Sequence, residues 1–454
     1  MKVEWEKLFF ISSLILSMIM RLLLFNINKG LWWDEAVYLS LGKNILKQKY
    51  YIDVIASDRE SFRSPFLPLI SALSFFLDEE IFVKFIVLLF SLISIITTYY
   101  LGKIFFDKKT GYLSAALLSS FPLYIFFGQR ILSESIFVTF FSLSLLTFYL
   151  GVEKNKKYLY YCGFLTGLSY LTKYFAMILP VLYFFYILLR RKEKIILKKE
   201  TWISLGIFFL TISPWIILSV KYYKSPLGGI FKNFEVYSQA SVQPFYFFFS
   251  NIHKIFGYCI ILIPVSLYFL VKDRKPQNVF IIISIILPFL YFSLSPHKEM
   301  RYLISFSSVY AICMVYVLRR IKNYEILVIP ILMFFMIQGF FLGYQNIKEN
   351  KDNGVVLKEG ALFLKGITSP DKNVMSESYP YVIYYADRIT VRPPKDKKTF
   401  YSLIEEHNIK YILIDVSELG NPNYLLTELN TVNFEKVKSF SEWNKDRVII
   451  YKKL

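Results

Sequence analysis

Long apolar runs alternate with short basic clusters over most of the chain. A run of roughly 17 or more apolar residues can cross a bilayer as a helix. On that measure the pattern predicts spans near residues 8 to 26, 81 to 104, 111 to 128, 134 to 152, 158 to 172, 174 to 189, 201 to 222, 252 to 271, 279 to 295, 301 to 318 and 325 to 344. That is about eleven in all. From Lys348 onward the runs shorten and charge rises. Leu357 to Leu364, Phe400 to His407 and Tyr424 to Leu429 read as helices, and Asn373 to Met375 and Tyr411 to Asp415 as buried strands. Phe434 to Phe440 and Arg447 to Lys452 read as a closing strand pair. Such alternation predicts a small α/β domain over residues 346–454, following a polytopic membrane domain over residues 1–345.

Composition agrees with the membrane class. The 454 residues are 55% hydrophobic and 19% aromatic, too apolar for a soluble chain of this size. A net charge of +19 would suit nucleic acid only if the basic residues gathered on one soluble face, and they fall between apolar runs instead. The three cysteines, Cys162, Cys259 and Cys313, lie inside those runs without metal-ligand spacing. Met1 to Lys7 carries charge ahead of a run too long for a signal peptide, so the first run is expected to be a retained anchor.

The basic clusters set orientation. Lys103/Lys108/Lys109, Lys154/Lys156/Lys157, Arg190/Arg191/Lys192/Lys194/Lys198/Lys199, Lys272/Arg274/Lys275 and Arg319/Arg320/Lys322 all face the cytoplasm only if Pro65 to Leu77, short for a span, stays in the interface. The N-terminus is then cytoplasmic and the C-terminal domain extracytoplasmic, with a prokaryotic plasma membrane the expected home. Residues 27–80 become one external loop with two surface helices. One carries Val37, Tyr38, Leu41, Ile45 and Leu46 opposite Ser40, Lys43, Asn44 and Lys47. The other is opened by Ser64-Pro65. A polar stretch with Asp53, Asp58, Arg59, Glu60 and Arg63 lies between them.

Candidate chemistry gathers on the external side. Leu31-Trp32-Trp33-Asp34-Glu35-Ala36-Val37-Tyr38 sets two carboxylates behind a tryptophan pair suited to the headgroup level. Gly128-Gln129-Arg130-Ile131-Leu132-Ser133-Glu134-Ser135, Leu168 to Tyr174, and Pro296-His297-Lys298-Glu299-Met300-Arg301-Tyr302 complete that face. Lys173, His297, Lys298 and Arg301 are basic where short loops should be poor in base, which points to an anionic partner. Each residue also has a plainer reading. Asp34 suits a helix N-cap and Glu35 a solvated first turn; Arg63 suits pairing with Asp58 or Glu60, and Lys173 snorkelling from a helix end.

A carboxylate pair behind the first span, a long first external loop, an acidic residue in the second and a soluble C-terminal domain together resemble the GT-C membrane glycosyltransferases. The resemblance is to glycosyltransferase family 39, the branch of protein O-mannosyltransferases and the aminoarabinose transferase of lipid A. It rests on Trp33-Asp34-Glu35-Ala36, Arg63-Ser64-Pro65-Phe66-Leu67-Pro68, Phe106-Asp107-Lys108-Lys109-Thr110-Gly111, Gly167 to Tyr174 and His297 to Tyr302, over roughly residues 1 to 345. It implies transfer of one sugar from a polyprenyl-phosphate donor to a hydroxyl of an external lipid, glycan or protein. Asp34 is then the candidate base. Glu35 orients a substrate or takes a divalent cation, Mg or Mn. Arg63, Lys173, His297, Lys298, Arg301 and Tyr302 are candidates for the lipid phosphate. Glu134 stands at the family's second acidic position, usually Asp, and Arg130 and Lys84 are further candidates for acceptor or metal. The Trp-Trp-Asp signature of oligosaccharyltransferases is absent, only Ser441-Glu442-Trp443-Asn444-Lys445-Asp446 standing near it. The competing readings are a polyprenyl-glycan flippase, which would need inverted repeats and charges at the bilayer midplane, and an assembly partner without chemistry. Arg21 is the charge that suits the former.

Overall fold

The computed structural model describes residues 5–46, 63–74, 79–238, 242–321, 324–418, 420–430, 433–443 and 445–454. Asp53, Asp58, Arg59 and Glu60, and with them two of the expected partners of Arg63, lie outside the described residues. The chain forms two compact units: residues 1–25, 64–67 and 80–348 make the first, and 26–63, 68–79 and 349–454 the second.

The helices, in chain order, are α1 Trp5–Leu23, α2 Trp33–Leu46, α3 Phe66–Ser74, α4 Glu79–Phe105, α5 Lys108–Ser119, α6 Pro122–Phe127, α7 Glu134–Glu153, α8 Tyr158–Thr172 and α9 Ile178–Leu189. There follow α10 Lys199–Tyr223, α11 Gly228–Ser238, α12 Phe247–Phe256, α13 Leu262–Asp273, α14 Pro276–Leu294, α15 Arg301–Ile304, α16 Ser307–Leu318 and α17 Tyr324–Glu349. Among the described residues, 5 helices are long and apolar enough to cross a membrane: α4, α7, α10, α14 and the stretch Leu327–Glu349 of α17. Asp107 starts α5 by accepting the Thr110 N–H at 2.7 Å, and it takes Arg319 at 3.0 Å.

Three expected spans are interrupted rather than continuous. The run 111 to 128 breaks before Pro122, where Phe121 is extended (φ −60, ψ 127), because proline disfavours helix in the residue ahead of it. The run 252 to 271 breaks at Gly257, whose φ of +80 suits glycine alone. Backbone freed inside a bilayer needs a new partner, and the Tyr258 N–H finds Gln338 Oε1 at 3.2 Å. The run 301 to 318 divides into α15 and α16 at Ser305 and Phe306.

In the second unit α18 Val355–Ile367 leads to strand β1 Val374–Met375, then α19 Tyr379–Tyr381 with a π-turn to Ala386, β2 Thr390–Val391, α20 Lys397–Glu406 and β3 Tyr411–Asp415. After α21 Tyr424–Glu428 the hairpin β4 Phe434–Glu442 and β5 Lys445–Lys453 completes a sheet ordered β2-β1-β3-β5-β4. β1 is parallel to β2 and β3, whereas β5 is antiparallel to β3 and β4. The two-residue β2 and the turn at 379–386 carry no periodicity for the sequence to reveal. Strand alternation assigns the faces. Ile412, Ile414, Ile449 and Tyr451 join Phe400, Ile404 and Leu425 of α20 and α21 in one core, while Leu413 and Val448 meet α18 at Gly360 on the other face.

α2 corrects one expectation. Ser40 and Asn44, assigned to a solvated face, are buried. Ser40 Oγ donates to the Pro380 carbonyl at 3.1 Å, and Lys43 Nζ donates to the Tyr384 carbonyl at 3.2 Å and meets Asp387 at 3.1 Å. The polar side of this helix is covered by residues 380–387 of its own unit. The chain reaches α18 through Gly354, with φ +81, where a Cβ would overlap the Leu31 carbonyl oxygen. Gly354→Ala is therefore expected to destabilise the protein by about 2 kcal/mol or more. Gly366→Ala, where a Cβ meets nothing within 4 Å, is expected to hold or raise the unfolding midpoint in detergent; equal midpoints for the two variants would contradict this account.

Candidate active site

The carboxylates that follow Trp33 do different work. α2 opens one residue before Asp34, so Asp34 stands in the first turn and not at the N-cap. Glu35, fully buried, turns back to accept the Trp32 N–H at 2.6 Å, the reach of a capping box. Asp34 Oδ1 takes the Arg63 guanidinium at 2.8 Å, both side chains 13% exposed. Arg63 Cζ also lies 5.9 Å from the Tyr38 ring centroid. The edge of Trp33 meets the rings of Tyr379 at 5.3 Å and Tyr381 at 6.4 Å, and the Tyr381 hydroxyl donates to the Leu31 carbonyl at 3.0 Å. The backbone on either side of Asp34 is thereby held by the C-terminal part of the same unit. Glu35 turns inward, and among the described residues no three His, Cys, Asp or Glu side chains gather as a metal-ligand set.

In the first unit the structure gathers Glu134, Lys173, His297, Arg301 and Tyr302. Glu134 is the first residue of α7 and Lys173 the residue after α8. α7 and α8 pack side by side and antiparallel, which puts a carboxylate at a positive helix end and an ammonium at the neighbouring negative one. The Glu134 side chain is 1% exposed and its Oε1 accepts from Lys173 Nζ at 2.7 Å, with Arg301 Nη1 3.9 Å away. Burial pulls the Lys173 pKa below its ordinary value, and the Glu134 carboxylate opposes that shift. Glu299, which the sequence reading left without a role, joins the rest: it takes Arg301 at 2.6 Å, His297 Nε2 at 3.0 Å and the Tyr302 hydroxyl at 3.3 Å. Its place between a histidine two residues before and an arginine two residues after was the available signal.

Three candidates stand differently. Lys298 donates to the carbonyl oxygens of Gln243 at 2.7 Å and Ser295 at 2.5 Å, and burial lowers its pKa too. It acts as a brace for the loop. Arg130 is fully buried with Cζ 5.5 Å from the Phe126 ring, and Lys84 is buried within α4. Beside Lys173 opens an apolar groove of about 360 Å³ lined by Phe175, Ile178, Val181, Phe234, Leu287 and Leu290, among others. Phe175 joins the two regions, its ring 5.9 Å from Lys173 Nζ and 4.9 Å from the Tyr302 ring.

Comparison with known proteins places this arrangement. The family model described as dolichyl-phosphate-mannose-protein mannosyltransferase matches residues 63–218, under half of the chain. An uncharacterized protein of Aquifex aeolicus (strain VF5) is 25% identical over 295 residues, 63% of this chain and 59% of its own length. Among solved structures, ArnT from Cupriavidus metallidurans bound to undecaprenyl phosphate superposes with a TM-score of 0.77 at 13% identity, covering 99% of this chain and 98% of that one. The oligosaccharyltransferase AglB from Archaeoglobus fulgidus, in complex with an inhibitory peptide and a dolichol-phosphate, gives 0.65 at 13% identity over 91% and 70%. The chain has the GT-C membrane fold and resembles glycosyltransferase family 39.

The ionic cluster predicts an asymmetry in stability. Glu134→Gln leaves two neighbouring cations short of a carboxylate and is expected to cost about 3 kcal/mol, the order seen when a buried pair is broken. Lys173→Met costs less, because Arg301 remains to pair Glu134. The double variant should be milder than the sum of the singles; additive shifts in the detergent unfolding midpoint would argue against a coupled pair.

Proposed function

We propose that this chain is a glycosyltransferase that moves a sugar from a polyprenyl-phosphate donor to a hydroxyl of an external acceptor. The observation that carries the reading is the meeting of Lys173 and Arg301 at Glu134 beside the apolar groove at Phe175, which sets two oriented cations next to a surface suited to an isoprenoid. The lipid phosphates bound by the two structural neighbours support this choice of donor, as does the mannosyltransferase family match.

In this mechanism the acceptor oxygen attacks the anomeric carbon while Asp34 takes its proton. The bond between that carbon and the phosphate oxygen breaks, and polyprenyl phosphate leaves with the electron pair. Attack from the face opposite the leaving group inverts the anomeric centre. Arg63 holds the Asp34 carboxylate in one orientation. Lys173 and Arg301 receive the charge that grows on the phosphate, usually the largest catalytic term. Glu134 and Glu299 keep those two cations in place, and His297 and Tyr302 brace Glu299. The groove takes the isoprenoid tail. A plasma-membrane site with the active face outside is the setting this reading requires, since a lipid-borne donor serves a site without access to nucleotide sugars.

Release of free polyprenyl phosphate from a panel of polyprenyl-phosphate sugars by the purified protein, with membrane extract as acceptor, tests the reaction. Asp34→Asn is expected to lower it by about 10²–10⁴-fold with the unfolding midpoint retained. Arg301→Lys, which keeps the charge but loses the fork, is expected to lower it by about 10²-fold or more. Intact donors with the wild type, or an Asp34→Asn variant as fast as wild type, would overturn the assignment.

A further inference from the structure

The C-terminal domain holds a second group of charged side chains that the reaction above does not use. β1 lies between β2 and β3, so the chain leaving β1 crosses to one side and the chain leaving β3 runs to the other edge. In open sheets, divergence of this kind leaves a crevice at the carboxyl ends of the two strands, where ligands bind. Glu377 and Ser378 follow β1; Ser417, Glu418, Gly420 and Asn421 follow Asp415 at the end of β3. The two loops touch, since a Cβ on Gly420 would overlap Glu377 Oε1.

The base of these two loops is internally paired. Arg392 holds Glu377 through two bonds of 2.7 and 2.5 Å. Arg447 Nε holds Asp415 at 2.7 Å, and Asp415 Oδ1 also accepts from the Ser417 N–H and hydroxyl at 3.0 and 2.9 Å. Polar groups beside it keep unused capacity. Among the described residues from 349 onward, two buried side-chain polar atoms have no hydrogen-bond partner, Ser378 Oγ and Asn421 Oδ1, and both lie in these loops. Ser378 is 1% exposed. The Asn421 amide is fixed at the end of β3, where its Nδ2 donates to the Asp415 carbonyl at 2.5 Å. Glu418, partly exposed, makes no ion pair among the described residues and accepts a single long bond from the Gly420 N–H at 3.4 Å. Burial, with Asp415 and Glu377 nearby, raises its pKa above the ordinary carboxylate value.

The capacity left open is a carboxylate and an amide oxygen, which accept, and a hydroxyl, which can donate or accept. An anion would meet the Glu418 carboxylate and the Asn421 amide oxygen, and both arginine forks there already hold Glu377 and Asp415. A ligand rich in hydroxyl groups satisfies all three. We propose that this crevice between β1 and β3 binds a saccharide, and that the acceptor of the transferase is a glycan held there by its hydroxyls. The identification as acceptor rests on the glycosyl-transfer reading; the saccharide site itself does not. α19, beginning one residue after Ser378, contacts Trp33 beside Asp34, which ties this crevice to the segment bearing the candidate base.

The test uses the full-length protein in nanodiscs on an array of defined oligosaccharides, with donor turnover followed in parallel. Wild type should bind a subset of glycans, and Ser378→Ala with Glu418→Ala should weaken that binding about tenfold, the order expected for two lost hydrogen bonds. Ser378→Ala alone removes a hydroxyl without an internal partner, so it should leave the unfolding midpoint unchanged while weakening binding. In the double variant, slow release of polyprenyl phosphate to water should persist, and its acceleration by the bound glycan should be lost. Glycan binding without donor turnover would retain the site and remove the transferase reading. No glycan bound, binding indifferent to both variants, or competition by spermidine instead of sugars would overturn the proposal.

Discussion

A carboxylate 1% exposed at the end of an apolar helix stays charged only if a cation meets it within hydrogen-bond reach. Lys173 does so for Glu134 at 2.7 Å, and much of the first unit is arranged to allow it. α8 must end where α7 begins, and Lys173 must leave helical geometry, which it does with φ −152 and ψ 133. Arg301 must come from a separate loop and carry its own counterion, Glu299. The result is two cations held by carboxylates at the mouth of an apolar groove. Such an arrangement costs desolvation energy, which the ion pairs offset.

Asp34 depends on a different kind of restraint. Its helix is short, and little about α2 alone would hold one carboxylate in one place. Trp33 edge-on to Tyr379 and Tyr381 contributes about 0.5–1.5 kcal/mol per aromatic pair. Glu35 closes the helix start, and Ser40 and Lys43 are tied to backbone carbonyls of residues 380 and 384. The α/β domain is thus part of the scaffold for the candidate base, and its residues from 349 onward form one compact unit with the loop that carries Asp34.

Sharing a fold at a TM-score of 0.77 with only 13% identity is physically reasonable for this architecture. A bilayer demands that every backbone polar group be satisfied within the helices, and many apolar sequences meet that demand. Few of the residues along a span are individually specified. Those at the helix ends are, because charge and capping there have one sign and one geometry.

Most of the apolar runs coincide with helices to within a few residues, and five of those helices are long and apolar enough to cross a membrane. The strands expected near 373–375, 411–415, 434–440 and 447–452 are strands in the fold. Lys173, His297, Lys298 and Arg301 stood out as basic residues on a face where short loops carry few, and Asp34, Arg63 and Glu134 through the family resemblance. Their partners did not. That Arg63 takes Asp34, that Glu35 caps its own helix, that Glu299 joins His297, Arg301 and Tyr302, and that Lys298 braces carbonyl oxygens were all decided by tertiary structure. So were the breaks at Gly257 and before α16 and the covered polar face of α2. Local sequence records which side chains are charged and how hydrophobicity repeats, but a hydrogen bond joins groups that may lie a hundred residues apart, and only the folded chain brings them within 3 Å of each other.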